Sequence, residues 1–429
     1  MTSPRVCFYA DDFTGAVDAL LQFTRAGWRG RLLLGAPDAA GLAEQAEGQD
    51  VLGVAGTARS LGPAELEAQV RPVLADLAAL GPEVVQYKAC STADSSPDVG
   101  NLGRVVEIGR ELLGQRCVPL LFAQPDFGRW TVFGHHFAAE AGRVHRLDRQ
   151  PTMSTHPATP MTESDLALHL GRQTALPVGS LPWNGYTDAA AVTRALQQAP
   201  EAALVLDALT DEHLRLLATA VLGLRTGSGA PVFAVGSGGL SAGLAAALGA
   251  APASAPAPAP RPAGGPVLAV SGSCSGQTRR QVEHARAAGW LVLPLPLQDA
   301  DPVAAVTGPA LDALTQGRSV VVASAVDGPT ATPVPVAEVA GALAAVTRAA
   351  VTAGLTSRVV VCGGDTSSRV TTLLTATSLE VVANPVGNVV LGRLTTADPA
   401  LDGLEVLLKG GQVGPVDLLE LVRNLGGTR

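Results

Sequence analysis

Short apolar runs alternate along this chain with longer stretches whose apolar residues recur at helical spacing. In the first half the runs are 5–9, 51–55, 84–88, 118–122, 203–207 and 232–235; in the second they are 267–270, 319–322 and 359–362. Residues 16–23 and 63–80 carry the helical spacing. Parallel strands need long crossovers, and the crossover helices cover the sheet faces, so this alternation predicts mostly parallel sheets flanked by helices. The fold class expected is α/β.

The pattern breaks at Ala251-Pro252-Ala253-Ser254-Ala255-Pro256-Ala257-Pro258-Ala259-Pro260. Alternating Ala-Pro forms neither helix nor ladder and favours an extended coil. A chain of 429 residues also exceeds the usual reach of one core. Three parts are expected: a domain over 1–250, an Ala/Pro linker over 251–265 and a second domain over 266–429. Within the first domain, 128–160 is dense in polar residues. Residues 131–134 and 144–146 read as short antiparallel strands of a small lobe over the site. Near 155–165 a helix entry is expected, capped by Thr162 with Asp165 reaching back.

Composition narrows the function. A formal charge of -8 and a pI near 5.4 argue against nucleic acid and against anionic membranes, which want a basic face. Cys7, Cys90, Cys117, Cys274 and Cys362 are widely spaced without a CxxC, as in a cytoplasmic protein with reduced thiols. No signal-peptide core or bilayer-spanning run is evident. His135, His136, His145 and His156 lack zinc-pair spacing, so no resident metal is expected.

The chemistry concentrates where strands end. Ala10-Asp11-Asp12-Phe13-Thr14-Gly15-Ala16 lies on a strand-to-helix turn, at the carboxyl edge where open parallel sheets bind ligands. A helix cap needs one carboxylate; two adjacent ones repel unless something uses the second. Lys88 ends another strand and is followed by Ser91, Thr92 and Asp94, a plausible grip on a small polyhydroxy anion. His156 and Thr159 are offered by a later loop.

In the second domain, Ser271-Gly272-Ser273-Cys274-Ser275 with Thr278, and Gly363-Gly364-Asp365-Thr366, each join a strand to a helix. Glycine lets a backbone approach a phosphate, and helix N–H groups and hydroxyls donate to it. Residues 235–240 repeat the pattern at the end of the first domain. There is no P-loop and no dinucleotide fingerprint.

Taken in order, these motifs resemble the four-carbon acid sugar kinases, formerly a domain of unknown function. The resemblance is carried by 10–16, by Tyr87-Lys88 with its Ser-Thr-Asp loop, by His156-Pro157 with Thr159-Pro160, by 271–275 with Thr278, by 363–367 and by 409–414. It implies a sugar-acid-binding N-terminal domain and an ATP-binding C-terminal domain that close over their substrates. It places Asp11, Asp12, Lys88 and Asp94 toward the acid, together with Thr14, Ser91, Arg129, His156 and Thr159. It places Ser271, Ser273, Ser275, Thr278, Gly363, Gly364, Asp365, Thr366, Gly410 and Gly411 toward ATP. Mg²⁺ is expected to bind mainly through ATP.

Two departures stand out. The family pattern Lys-x-Asp-Ser-Thr-x-Arg-Gly-Asn becomes Lys88-Ala89-Cys90-Ser91-Thr92-Ala93-Asp94 without its arginine, so Arg129 or Arg59 is expected to substitute. The usual Lys-Ser-Gly-Asn-Phe-Gly becomes Lys409-Gly410-Gly411-Gln412-Val413-Gly414.

The expected activity is ATP-dependent phosphorylation of the terminal hydroxyl of an acid such as threonate, erythronate or 3-oxo-tetronate, with Asp12 as base and Asp11 as its partner. A non-catalytic sugar-acid or nucleotide sensor derived from the kinase is the alternative, and a dehydrogenase or aldolase-type enzyme a third. Partners are the acid and ATP, with neither nucleic acid nor membrane, and a homo-oligomer is left open.

Overall fold

The computed structural model describes residues 3–426 except 141, 226–228, 250–258, 263 and 326–334. Most of the Ala/Pro stretch lies outside the described residues. The chain divides into two compact units, Met1–Pro256 and Ala257–Arg429.

The first unit carries β1 (Val6–Ala10), β2 (Gly30–Leu33), β3 (Val51–Ala55), β4 (Val84–Lys88), β5 (Val118–Leu121), β6 (Arg129–Val132), β7 (His135–Glu140), β8 (Arg143–Arg146), β9 (Val178–Leu181), β10 (Ala203–Leu206) and β11 (Val232–Gly236). Its main sheet runs β2-β3-β1-β4-β11-β5-β10-β9, and every described pairing in it is parallel. β1 and β4 are buried along their whole length, as a sheet covered on both faces requires. Phe8 stacks on Phe23 of the helix Phe13–Arg25. A Cβ at Gly53, on the neighbouring strand, would fall 2.1 Å from the Phe8 ring, so only glycine fits there.

After β1 the chain builds β2 and β3 on one side, then crosses to place β4 on the other. Strand order therefore reverses between β1 and β4, and the two adjacent turns diverge. This is the topological switch point where open α/β sheets leave a crevice. Ala10 and Lys88 are Cα partners there.

Residues 128–160 hold three antiparallel strands, β6-β7-β8, where the sequence suggested two. His135–Glu140 was missed because its alternation is masked by two histidines and two alanines. The following helix, Leu166–Gly171, is capped by Asp165, which accepts from Ala167 and Leu168, and not by Thr162.

The second unit carries β12 (Leu268–Ser271), β13 (Leu291–Pro294), β14 (Val320–Ala323), β15 (Arg358–Cys362), β16 (Ala376–Val386), β17 (Val389–Thr396) and β18 (Glu405–Lys409). Its order is β13-β14-β12-β15-β18-β17-β16. The first five of these are parallel, and β17 runs antiparallel to both neighbours. Again the order reverses, here between β12 and β15. The helix after β12 spans Gly276–Ala287, and the Ser275 side chain caps it by accepting the Thr278 N–H.

Candidate active site

In the N-terminal unit, Asp12 caps the helix Phe13–Arg25 by accepting the Gly15 N–H through Oδ1 at 2.9 Å. Capping is only half of its environment. Arg59, in the turn after β3, donates from Nη2 to Asp12 Oδ1 at 2.8 Å and to Asp11 Oδ1 at 3.0 Å. The Arg59 backbone N–H also donates to the Asp11 carbonyl at 3.1 Å. Asp11 is 2% exposed. Burial pushes its carboxyl up to about 6, against the pull of Arg59; Asp12 adds to the rise and Lys88 opposes it.

Lys88 is equally buried. Its ammonium donates to the Ala89 carbonyl at 3.0 Å and lies 4.0 Å from Asp18. A Cβ on Gly15 would sit 2.9 Å from Lys88 Nζ and 2.4 Å from Asp12 Oδ1, so this glycine is what lets the ammonium reach the first turn of the helix. Thr14, in the same turn, is exposed.

The loop after β4 packs against this group. The Thr92 hydroxyl donates to Asp94 Oδ1 at 2.5 Å, and Asp94 Oδ2 lies 4.0 Å from Arg59 Nη1. Ser91 and Asp94 are buried. From behind, a buried cluster of Ser95, His169 and Gln173 pins the loop. Burial holds His169 down to about 4, so it is neutral.

Arg129 opens β6 and donates from Nη1 to the carbonyls of Phe127, Gly128 and Ala139. It is within electrostatic reach of Cys90 and Asp94. Of the two arginines considered from sequence, Arg59 is the one that bridges the carboxylates. Its signal was its place, just past the end of a strand adjacent to β1. His156 and Thr159 bond each other, with Nδ1 2.9 Å from the threonine hydroxyl, and not the acidic pair.

In the C-terminal unit three turns converge. Ser271 of β12 pairs with Cys362 of β15, and the Gly272 N–H donates to the Cys362 carbonyl. Gly363 has φ +116° and stands before the helix Gly364–Leu373, whose N-terminus has no side-chain cap. Four helical N–H groups are thus without intrahelical partners. A Cβ on Gly272 would fall 2.3 Å from Thr366 Oγ1. Asp365 is exposed in this first turn and Thr366 buried.

The serines form a stair: Ser271 Oγ accepts from Ser273 N–H, Ser273 Oγ from Ser275 N–H, and Ser275 Oγ from Thr278 N–H. The third turn follows β18. Lys409 Nζ donates to Thr278 Oγ1 at 2.9 Å and to the Gly410 carbonyl at 3.2 Å. Thr278 donates to the Gly411 carbonyl at 2.8 Å, and the Ser275 hydroxyl donates there too. A Cβ on Gly411 would lie 2.6 Å from Ser273 Oγ. Beside these turns is a cavity of about 210 Å³ lined by Gly272, Cys274, Leu297, Gly363, Asp365 and Thr366. Glycine backbone, an uncapped helix N-terminus and hydroxyls together make a donor set suited to phosphate.

Among the described residues, no group of three or more His, Cys, Asp or Glu could hold a metal ion. No helix among them is long and apolar enough to cross a membrane.

Residues 6–244 match the family model of a sugar-binding N-terminal domain, and 268–419 that of a nucleotide-binding C-terminal domain. The chain is 40% identical to a 3-oxo-isoapionate kinase of Paraburkholderia graminis, over 97% of this chain and 94% of that protein. It is 33% identical to a 3-oxo-tetronate kinase of Cupriavidus necator (97% and 96% covered) and 32% identical to a D-threonate kinase of Bordetella bronchiseptica (98% and 96%). The crystal structure of Haemophilus influenzae protein HI1011 shares the fold, with TM-score 0.77 and 22% identity over 98% of this chain and 100% of that one.

Proposed function

The chain belongs to the four-carbon acid sugar kinase family, and we propose on that premise that it transfers the terminal phosphoryl group of ATP to an end hydroxyl of a small sugar acid. The observation that carries the assignment is the division of labour within Asp12. Its Oδ1 takes both the Gly15 N–H and Arg59, which fixes the carboxylate, so that Oδ2 is the oxygen left to meet an acceptor hydroxyl.

Asp12 Oδ2 accepts the hydroxyl proton. Asp11 holds Arg59, and Arg59 holds Asp12, so the base keeps its aim. Lys88 supplies positive charge beside Gly15, in the same turn as the Asp12 carboxylate. Phosphoryl transfer asks mainly for such positioning and charge neutralisation.

ATP would supply the phosphoryl group, and Mg²⁺, bound mainly through ATP, would neutralise charge during the transfer. Gly363, Gly364, Asp365 and Thr366, with Ser271, Ser273 and Ser275, would hold it. Gly410, Gly411 and Thr278 brace that set through Lys409. The cavity and uncapped helix fit a phosphate-bearing ligand. A cytoplasmic location suits the five unpaired cysteines.

The relatives point to 3-oxo-isoapionate first, then 3-oxo-tetronate and D-threonate, as acceptors. The test is ADP release with each acid in the presence of Mg²⁺ and ATP. ADP formation that depends on one of the acids is expected. Binding of an acid and ATP without ADP release would replace this reading with the non-catalytic alternative.

A further inference from the structure

Residues 235–240 have the sequence of a third phosphate turn, a strand end followed by Gly236, Ser237, Gly238 and Gly239 and then a helix. The activity described above makes no use of it. In the structure this turn follows β11, which lies between β4 and β5. Gln86 of β4 donates from Nε2 to the Gly236 and Ser237 carbonyls at 3.3 and 3.1 Å, and the Ser237 N–H donates to the Leu121 carbonyl of β5. Ser237 caps the helix Gly238–Leu248 by accepting the Gly239 N–H at 3.1 Å.

A carboxylate of the chain itself already occupies the space beside that helix end. A Cβ on Gly238 would overlap Asp18 Oδ2 and lie 2.9 Å from Gln124 Nε2. A helix N-terminus favours negative charge, and here Asp18 supplies it. Asp18 stands on the helix Phe13–Arg25, the helix that Asp12 caps. Gln22 Nε2 donates to Asp18 Oδ1 at 3.0 Å, and Gln124 Nε2 lies 3.3 Å from each of the two oxygens. Both glutamines are buried, so the carboxylate is held in place.

Asp18 Oδ2 lies 4.0 Å from Lys88 Nζ. Lys88 is 2% exposed, and its ammonium donates to the Ala89 carbonyl. A buried charge needs an opposite one nearby. Asp11 and Asp12 are joined through Arg59, which also lies 4.0 Å from Asp94. Among the described residues, Asp18 is the carboxylate within 4.0 Å of Lys88. The two cations thus divide the acids between them. At that separation Lys88 and Asp18 attract without sharing a hydrogen bond, which leaves N–H donors of the ammonium for a ligand.

We propose that Asp18 is a positioning residue of the acceptor site, which holds the Lys88 ammonium charged and directed along the first turn of the helix, beside Gly15. The turn at 236–239 serves this carboxylate and not a phosphate. The inference rests on the sugar-acid kinase reading above, and it places Asp18 behind Lys88, not against the acid.

The test is a double-mutant cycle on the full chain, with whichever of 3-oxo-isoapionate, 3-oxo-tetronate and D-threonate it turns over fastest. Asp18→Asn keeps the size and the oxygen that Gln22 bonds, and removes the charge. It should raise the KM for the acid about tenfold, a usual size for coupling between neighbours, and leave that for ATP within about twofold. In a Lys88→Met background the same substitution should change the KM for the acid by less than about twofold, because Asp18 acts through the lysine. Lys88 and Lys409 are the only lysines of the chain, so lysine labelled with ¹³C at Cε gives two side-chain signals, and Lys88→Met identifies one by its loss. Adding the acid should move the Lys88 signal in the wild type and leave it in place in Asp18→Asn. Should Asp18→Asn fail to melt cooperatively, Asp18→Ser, smaller and uncharged, is carried through the same cycle. An equal rise in KM in both backgrounds, or a Lys88 signal that answers the acid in Asp18→Asn as it does in the wild type, overturns the role of Asp18 while the kinase reading stands. A wild type that releases no ADP with any of the acids overturns the reading itself, and the role of Asp18 with it.

Discussion

Arg59 reaches Asp12 across 47 positions of sequence, and its Nη2 lies 2.8 Å from Asp12 Oδ1. That oxygen already accepts the Gly15 N–H. Helix cap and guanidinium thus immobilise one oxygen of the carboxylate, and the other is the one proposed to act as base. The pairing arises because β3, which delivers Arg59, lies beside β1, which delivers Asp12.

Asparagine separates the two duties of Asp12, since it caps a helix about as well as aspartate. Asp12→Asn should lower kcat by about 10²–10⁴-fold, the usual worth of general-base help. Its melting temperature and KM for ATP should stay near wild type. Asp12→Ala should show the same kcat loss and, in addition, about 1 kcal/mol of lost stability from the missing cap. Full turnover in Asp12→Asn would move the base to Asp11.

The pH profile of stability should carry two opposed signatures. Asp11 is raised from 3.8 to about 6, chiefly by burial, so the folded state holds its proton more tightly than the unfolded chain does. Its contribution is complete below pH 3.8 and is lost as pH climbs through 6. His169, lowered from 6.5 to about 4 by burial, contributes fully above 6.5 and loses that contribution as pH drops toward 4. Melting temperatures from pH 4 to 7 check both. Relative to wild type, Asp11→Asn should gain as pH rises, and His169→Gln should gain as pH falls.

Gly363 has a backbone conformation that L side chains rarely adopt, and a Cβ there would lie 3.0 Å from Thr366 Oγ1. Gly363→Ala should displace the turn at a cost of about 1–3 kcal/mol. Steady-state kinetics should show the KM for ATP raised about tenfold or more, on the scale of about 1.4 kcal/mol per decade, with the KM for the acid little changed.

Asp207 is fully buried at the end of β10 and accepts the N–H groups of Phe133 and Gly134 at 2.5 and 2.9 Å. It therefore anchors the β6–β7 turn to the main sheet. Asp207→Asn should cost about 1–3 kcal/mol in a denaturant titration, because a charged acceptor of three N–H groups, that of Trp183 at 3.2 Å included, becomes a neutral one. The lobe carries Arg129, the arginine expected on the acid side, so the KM for the acid should rise while that for ATP does not.

Local pattern was enough for the α/β class, for nine of the strands, and for the turns at Asp12, Ser271 and Gly363. Apolar runs and small-residue turns are written in consecutive residues, and burial on both faces of a parallel strand leaves an unbroken apolar run. The motifs at 10–16, 363–367 and the others also carried the family. What adjacency of strands decides could not be read that way. Arg59 was one of two candidates until β3 paired with β1, and His136 was one of several histidines until Thr131 and the loop at Ser91 closed around it. Lys409 gained its role only when β18 came to lie beside β15 and set its ammonium on Thr278. The physical reason is the same in each case. A side chain's charge state and aim depend on which distant segments exclude water from it, and only the assembled sheet determines that.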